Sequence, residues 1–302
     1  MDNKSGAAYM RERSSLLVCF AAIAMSCPTF GFAQSLKGKV ALELSADKSV
    51  YVWGENIWLD VTRVNLLHDE VVVSGEHHIG IRVTDDSGRR VLPGLIVDYY
   101  AIPYSVPPRS NVTESFRVDH RNDTTEESPG ARLLPGAYTV WAVLGDVTSN
   151  TLQVRVIPPS AEERMVAAEI VKKIGRWKSI SQAIQDGKAL IQQFPHSVYL
   201  PSIYSRLLSL LSASDRSFDR TDELMKYSMQ FLETFPDNGE AIVALESYVI
   251  GLRGKLGFPH PQGLDSQQAR RIEEELSRIK ARFPNERIKR YAGNIIKNNQ
   301  PR

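Results

Sequence analysis

The stretch Thr151-Leu152-Gln153-Val154-Arg155-Val156-Ile157-Pro158-Pro159-Ser160-Ala161-Glu162-Glu163-Arg164-Met165 decides the fold. Before the double proline, Leu152, Val154 and Val156 alternate with polar neighbours, which sets them on one face of a strand. After it, Ser160 and Glu163 form a capping-box pair, each side chain accepting from the other's backbone N–H at a helix start. The apolar spacing then becomes three and four. The chain therefore reads as a β half and an α half that meet at Pro158-Pro159.

Upstream, the period of two persists. Val40, Leu42 and Leu44 alternate with polar residues, as do Ile57, Leu59 and Val61, then Ile79, Ile81 and Val83, and later Tyr138, Val140, Ala142 and Leu144. Asp85-Asp86-Ser87-Gly88 is a turn at hairpin spacing. Seven or so short strands with no helical pattern between them predict a two-sheet antiparallel sandwich over residues 34–157. Within it, Leu134-Pro135-Gly136-Ala137-Tyr138 resembles the strand entry of bacterial immunoglobulin-like domains. That resemblance implies a Tyr138 hydroxyl tied to the preceding corner. Asp47-Lys48-Ser49-Val50-Tyr51-Val52-Trp53-Gly54-Glu55-Asn56 is similar to the opening of macroglobulin-type sandwich domains, and Ser149 to Val156 resembles their last strand. The resemblance identifies a fold, not an activity.

Downstream, residues 158–302 carry a repeat. Leu190-Ile191-Gln192-Gln193-Phe194-Pro195-His196 is echoed by Phe231-Leu232-Glu233-Thr234-Phe235-Pro236-Asp237 and by Ile279-Lys280-Ala281-Arg282-Phe283-Pro284-Asn285. A residue before Pro is driven out of helical geometry, so a helix is expected to end at each Phe and a new one to begin near Val198, Ala241 and Ile288. Phe194, Phe235 and Phe283 plug the space between paired helices, and Pro195, Pro236 and Pro284 force the turns. Stacked helix pairs follow. The pattern resembles the tetratricopeptide-like repeats of bacterial envelope proteins. It departs from them in length: Phe235 lies 41 residues after Phe194, and Phe283 lies 48 after Phe235, against the usual 34 or so. The fold class is thus multidomain, β then α. Met165, Ala168, Ile170, Val171 and Ile174, at helical spacing, fit one helix after the double proline.

Residues 1–33 read as a secretory signal. Arg11 and Arg13 precede the apolar run from Leu16 to Met25, and Gly31-Phe32-Ala33 supplies small residues before a cut after Ala33. The run is too short for a permanent membrane helix. An alternative takes Ala24-Met25-Ser26-Cys27 as a lipidation site anchored at Cys27. The only cysteines, Cys19 and Cys27, lie inside this segment. Cleavage after Ala33 leaves a chain without a thiol, which excludes disulfide scaffolds, thiol nucleophiles and cysteine-ligated zinc.

A net charge of +2 argues against a broad nucleic-acid or anionic-membrane footprint. The balance is uneven, −4 over residues 34–157 and +5 over residues 158–302, so the halves attract each other or the helical half favours an acidic partner. Asp86-Ser87-Gly88 matches the aspartic-protease triplet but has no second copy to share a proton, so a hairpin turn accounts for it. His77 and His78 are strand neighbours pointing to opposite faces, which disfavours a shared metal ion. No nucleotide, hydrolase or metalloprotease fingerprint occurs, and no cofactor is expected. Tyr99, Tyr100 and Tyr104, held among prolines in Tyr99-Tyr100-Ala101-Ile102-Pro103-Tyr104, offer a stacking surface for a ligand or cover a sheet edge. The expected function is an exported, non-catalytic interaction protein of the bacterial envelope that binds a protein partner through its helices. The alternative is a carbohydrate-binding or protease-inhibitor module acting through the sandwich loops.

Overall fold

A computed structural model describes residues 35–73, 78–91, 95–96, 104–118, 133–173, 179–214, 220–256 and 266–298. Among the described residues eleven strands come first: β1 Val40–Ala46, β2 Val50–Val52, β3 Trp58–Asn65, β4 Val71–Val73, β5 Ile79–Asp85, β6 Leu95–Ile96, β7 Tyr104–Val106, β8 Asn111–Arg117, β9 Gly136–Leu144, β10 Val147–Thr148 and β11 Leu152–Ile157. Seven helices follow: α1 Ala161–Lys173, α2 Ile180–Gln193, α3 Leu200–Ser214, α4 Thr221–Thr234, α5 Ala241–Lys255, α6 Ser266–Arg282 and α7 Glu286–Asn298. The change falls at the double proline. Ser160 N–H donates to Glu163 Oε2 at 2.7 Å and Glu163 N–H to Ser160 Oγ at 3.1 Å, the reciprocal cap that the sequence predicts.

The strands form one sheet ordered β1-β3-β8 and another ordered β2-β11-β9-β5-β6, with β4 paired to β7 alongside. Their inward residues share a single core, in which Leu44, Leu59 and Val61 of the first sheet meet Ile81, Val140, Leu144 and Val154 of the second. β9 alternates cleanly, with Tyr138, Val140, Ala142 and Leu144 buried. One pairing departs from the antiparallel expectation, since β2 runs parallel to β11. Alternation fixes which face a strand buries but carries no information about its direction beside a partner a hundred residues away.

Two polar anchors hold this half. Tyr138 Oη donates to Leu134 O at 2.6 Å, closing the corner that the strand-entry motif implies. Tyr138→Phe removes that bond alone and is expected to cost about 1 kcal/mol in denaturant unfolding with the fold unchanged by circular dichroism. Asn65 is a second anchor, almost fully buried. Its Nδ2 donates to the carbonyls of Asp69, Val106 and Pro107, and its Oδ1 accepts from Leu67 N–H. This asparagine pins the exit of β3 against β7.

The helical half is organised by its Phe-Pro turns. Phe194 N–H donates to Leu190 O, Phe235 N–H to Phe231 O, and Phe283 N–H to Ile279 O, at 2.8 to 2.9 Å. Each Phe thus makes the last helical bond before a proline that cannot donate one. The first two turns then repeat bond for bond: Ser197 and Asn238 N–H reach the Phe carbonyls, and Leu200 and Ala241 N–H reach the carbonyls of Ser197 and Asn238. α2 packs on α3, α4 on α5, and α6 on α7. Tyr204 wedges between Phe231 and Phe235, with ring centroids 5.7 and 6.3 Å away. Gly251 lets α5 approach α4 against Met225 and the Thr221 carbonyl. In α1, Val166 is buried and Ile170 packs against the helical core, whereas Met165 is 64% and Val171 53% exposed. A helix held by one neighbour buries a narrow stripe, and periodicity alone does not say which apolar stripe that is.

Candidate functional site

The three post-proline turns lie along one edge of the helical array, and that edge meets the outward face of β3. Tyr199, five residues after Phe194, donates its hydroxyl to Trp53 O at 2.7 Å. Glu240, five after Phe235, is buried and accepts from the Asn56 side-chain amide. Its neighbour Gly239 packs on Trp58 so closely that a Cβ there would overlap the indole Cγ and the Trp58 Cβ. Arg287, four after Phe283, reaches Asp60 Oδ2 through Nε at 3.2 Å and through a terminal nitrogen at 3.1 Å. Successive copies of the motif therefore grip positions 53, 56 to 58, and 60 in order.

This contact explains a break in the strand pattern. The residues of β3 that alternation turns outward, Trp58 and Asp60, are only 8% and 7% exposed. Asp60 sits between Arg287, itself buried, and Arg290, whose terminal nitrogen stands 3.0 Å from Oδ2. Ser115 Oγ donates to the other carboxylate oxygen. Nearby, the Tyr291 hydroxyl is pushed up to about 12, by burial first and then by Glu246, Glu114 and Asp60, so it stays protonated at any ordinary pH. The acidic β half and the basic α half thus spend charge on one another. A second ion pair, between buried Arg63 and partly exposed Glu114, joins β3 to β8.

The remaining site residues fall elsewhere. Phe194 and Phe235 are half-buried against the helical core and Phe283 is buried in it. Tyr104 opens β7 opposite Val73, while Tyr99 and Tyr100 lie outside the described residues, as do residues 1–34 with Cys19 and Cys27. Asp85 Oδ1 accepts from Ser87 N–H and Arg89 N–H, both at 3.0 Å, and Gly88 adopts φ +76°, so the protease-like triplet is a hairpin turn. These bonds, the Ser87 hydroxyl first, hold the Asp85 carboxyl below its usual range. His77 lies outside the described residues; His68 meets Arg109 at 2.8 Å. Among the described residues no three His, Asp or Glu side chains gather as metal ligands, and no helix is long and apolar enough to cross a membrane. An open cavity of about 620 Å³ lies between the Asp85–Arg89 hairpin and the corner from Leu133 to Tyr138.

No family model matches the chain, and no curated protein matches it. Solved structures that it partly overlays include the alkylpurine DNA glycosylase AlkC of Pseudomonas fluorescens, at 10% identity over 39% of this chain and 30% of that one, with a TM-score of 0.29. The CARDB domain of the PF1109 protein of Pyrococcus furiosus overlays at 15% identity, 39% and 87% coverage and a TM-score of 0.25. A beta-glucosidase of Listeria innocua overlays at 16% identity, 43% and 18% coverage and a TM-score of 0.26. At these scores the likenesses carry no argument about fold, ligand or activity.

Proposed function

We propose that the chain is an exported, non-catalytic interaction protein of the bacterial envelope, an immunoglobulin-like sandwich locked to an irregular array of tetratricopeptide-like hairpins. The secretory reading of residues 1–33 supports export, and the matching Phe-Pro turns support the repeat. The observation that carries the binding role is at the free end of the array. A stacked repeat closes its terminal helix with a polar outer face. Here α1 shows Met165, Ala168 and Val171, all exposed, as a continuous stripe at helical spacing, with Ile180 of α2 exposed as well. The sandwich occupies the turn edge and leaves this stripe uncovered, so a protein partner bearing a complementary apolar face is its occupant.

Because cleavage after Ala33 leaves no cysteine, a single introduced thiol is a unique handle. Met165→Cys or Val171→Cys carrying a photo-crosslinker is expected to trap the same partner in envelope extract, and Arg278→Cys on the polar face of α6 is not. Val171→Glu should abolish the adduct formed at position 165. Adducts of equal yield at all three positions, or none, refute the assignment. The cavity beside exposed Leu134 favours a second reading, capture of a glycan or protease by the sandwich loops. Unaltered activity across an extracellular protease panel, together with no glycan retention, removes it.

A further inference from the structure

The two outward tryptophan-bearing faces of the β half have opposite fates. Trp58 is covered by the helical turns, whereas Trp141 of β9 is partly exposed, on the face opposite the buried Val140 and Ala142. Trp141 stands directly across from Arg82 of β5, the next pair on that face is Thr139 with Thr84, and Thr84 in turn bridges Arg90. Arg82, Thr84, Arg90 and Trp141 thereby line a shallow cavity of about 330 Å³. Gly80, lacking a side chain, leaves the room over which the Arg82 guanidinium lies, 3.7 Å from where a Cβ would stand. Asp85, the acid on the same strand, is engaged by Ser87 and Arg89. Among the described residues no carboxylate pairs with Arg82 or Arg90. Two guanidinium groups beside one indole, without a carboxylate partner among the described residues, leave their donors open to an anionic ligand.

We propose that this patch binds an acidic saccharide, one pyranose ring on the Trp141 face and its carboxylates on Arg82 and Arg90. The indole offers an apolar face to ring C–H groups, the Thr84 hydroxyl can meet a ring hydroxyl, and guanidinium forks match carboxylate geometry. The cavity suits one or two sugar rings, too small for a folded partner. This site lies on the other sheet from the helical dock and is independent of the α1 stripe.

Calorimetric titration of the whole chain with tetragalacturonate, maltotetraose and pentaglutamate tests it. Tetragalacturonate is expected to bind, more weakly as salt rises, and at least about tenfold more tightly than the neutral sugar or the acidic peptide. Arg82→Ala with Arg90→Ala, and separately Trp141→Ala, should each weaken it about tenfold or more. Arg90→Glu, at an exposed position, should do the same at little cost to folding. No binding of tetragalacturonate, affinity untouched by the three variants, or equal affinity for pentaglutamate would overturn the proposal, the last marking a mere anion surface.

Discussion

Asp60→Ala is expected to destabilise the chain by about 3–5 kcal/mol and to let the two halves unfold in separate denaturant transitions, as they lose their grip on one another. The size follows from burial. Asp60 is 7% and Arg287 9% exposed, so the substitution leaves a nearly buried guanidinium without the carboxylate it is bonded to. Arg290, with 31% of its side chain exposed, can swing to solvent and adds little to the loss. The Ser115 hydroxyl also loses its acceptor. Arg287→Met in the Asp60→Ala background removes the stranded charge and should recover a substantial part of the stability, because a buried pair exchanged for apolar groups is often neutral. Tryptophan fluorescence in a Trp53→Phe, Trp141→Phe, Trp177→Phe background reports the dock through Trp58, and circular dichroism reports the helices. Coincident transitions by both probes in Asp60→Ala, with a loss below about 1 kcal/mol, would show that the arginines do not join the halves.

Much of this architecture was legible in the sequence, and where it was not the reason is physical. The change of period at Pro158, the reciprocal cap at Ser160 and Glu163, and the Tyr138 corner are local, set by residues within five positions of each other. The Phe-Pro turns are local too, and recur. What local pattern cannot carry is which side of an element another element will cover. β3 therefore read as half-exposed, though Trp58 and Asp60 are buried, and the spacing of α1 did not tell that Val166 and Ile170 face the array while Met165 does not. Arg63 and Asn65, on the inward side of β3, look like surface residues until their partners on β8 and β7 are known. The dock had one faint sign, the opposite net charges of the two halves. Its residues gave no more: the positions following the three Phe-Pro pairs are Tyr199, Gly239-Glu240 and Arg287, dissimilar in type because each meets a different stretch of β3 and its approach. An alignment of the copies shows their equivalence only after the turns are seen to lie on one edge.

The same edge yields the other large effect. Gly239→Ala is expected to cost about 3 kcal/mol, at the upper end of what a single added methyl does in a packed site. The glycine is needed for space, since its Cβ would overlap the Trp58 Cβ and Cγ. Those atoms are the root of the side chain, fixed to β3 by its pairing on both edges, with β1 and with β8, so no rotamer change clears them. The backbone on the other side is equally constrained, because Asn238 N–H is held by Phe235 O and Ala241 N–H by Asn238 O. Relief requires the turn to lift from the strand. That lift would stretch the Tyr199 to Trp53 and Arg287 to Asp60 bonds on either side, as all three turns share one edge. Replacing Trp58 by Ala removes the obstacle, so Gly239→Ala should cost little in that background, and the double variant should lose far less than the sum of the two single losses. Denaturant unfolding of the four corners of this cycle measures the coupling. Strictly additive losses would mean that the glycine and the indole do not touch, and with that the registry of repeat to strand would fall.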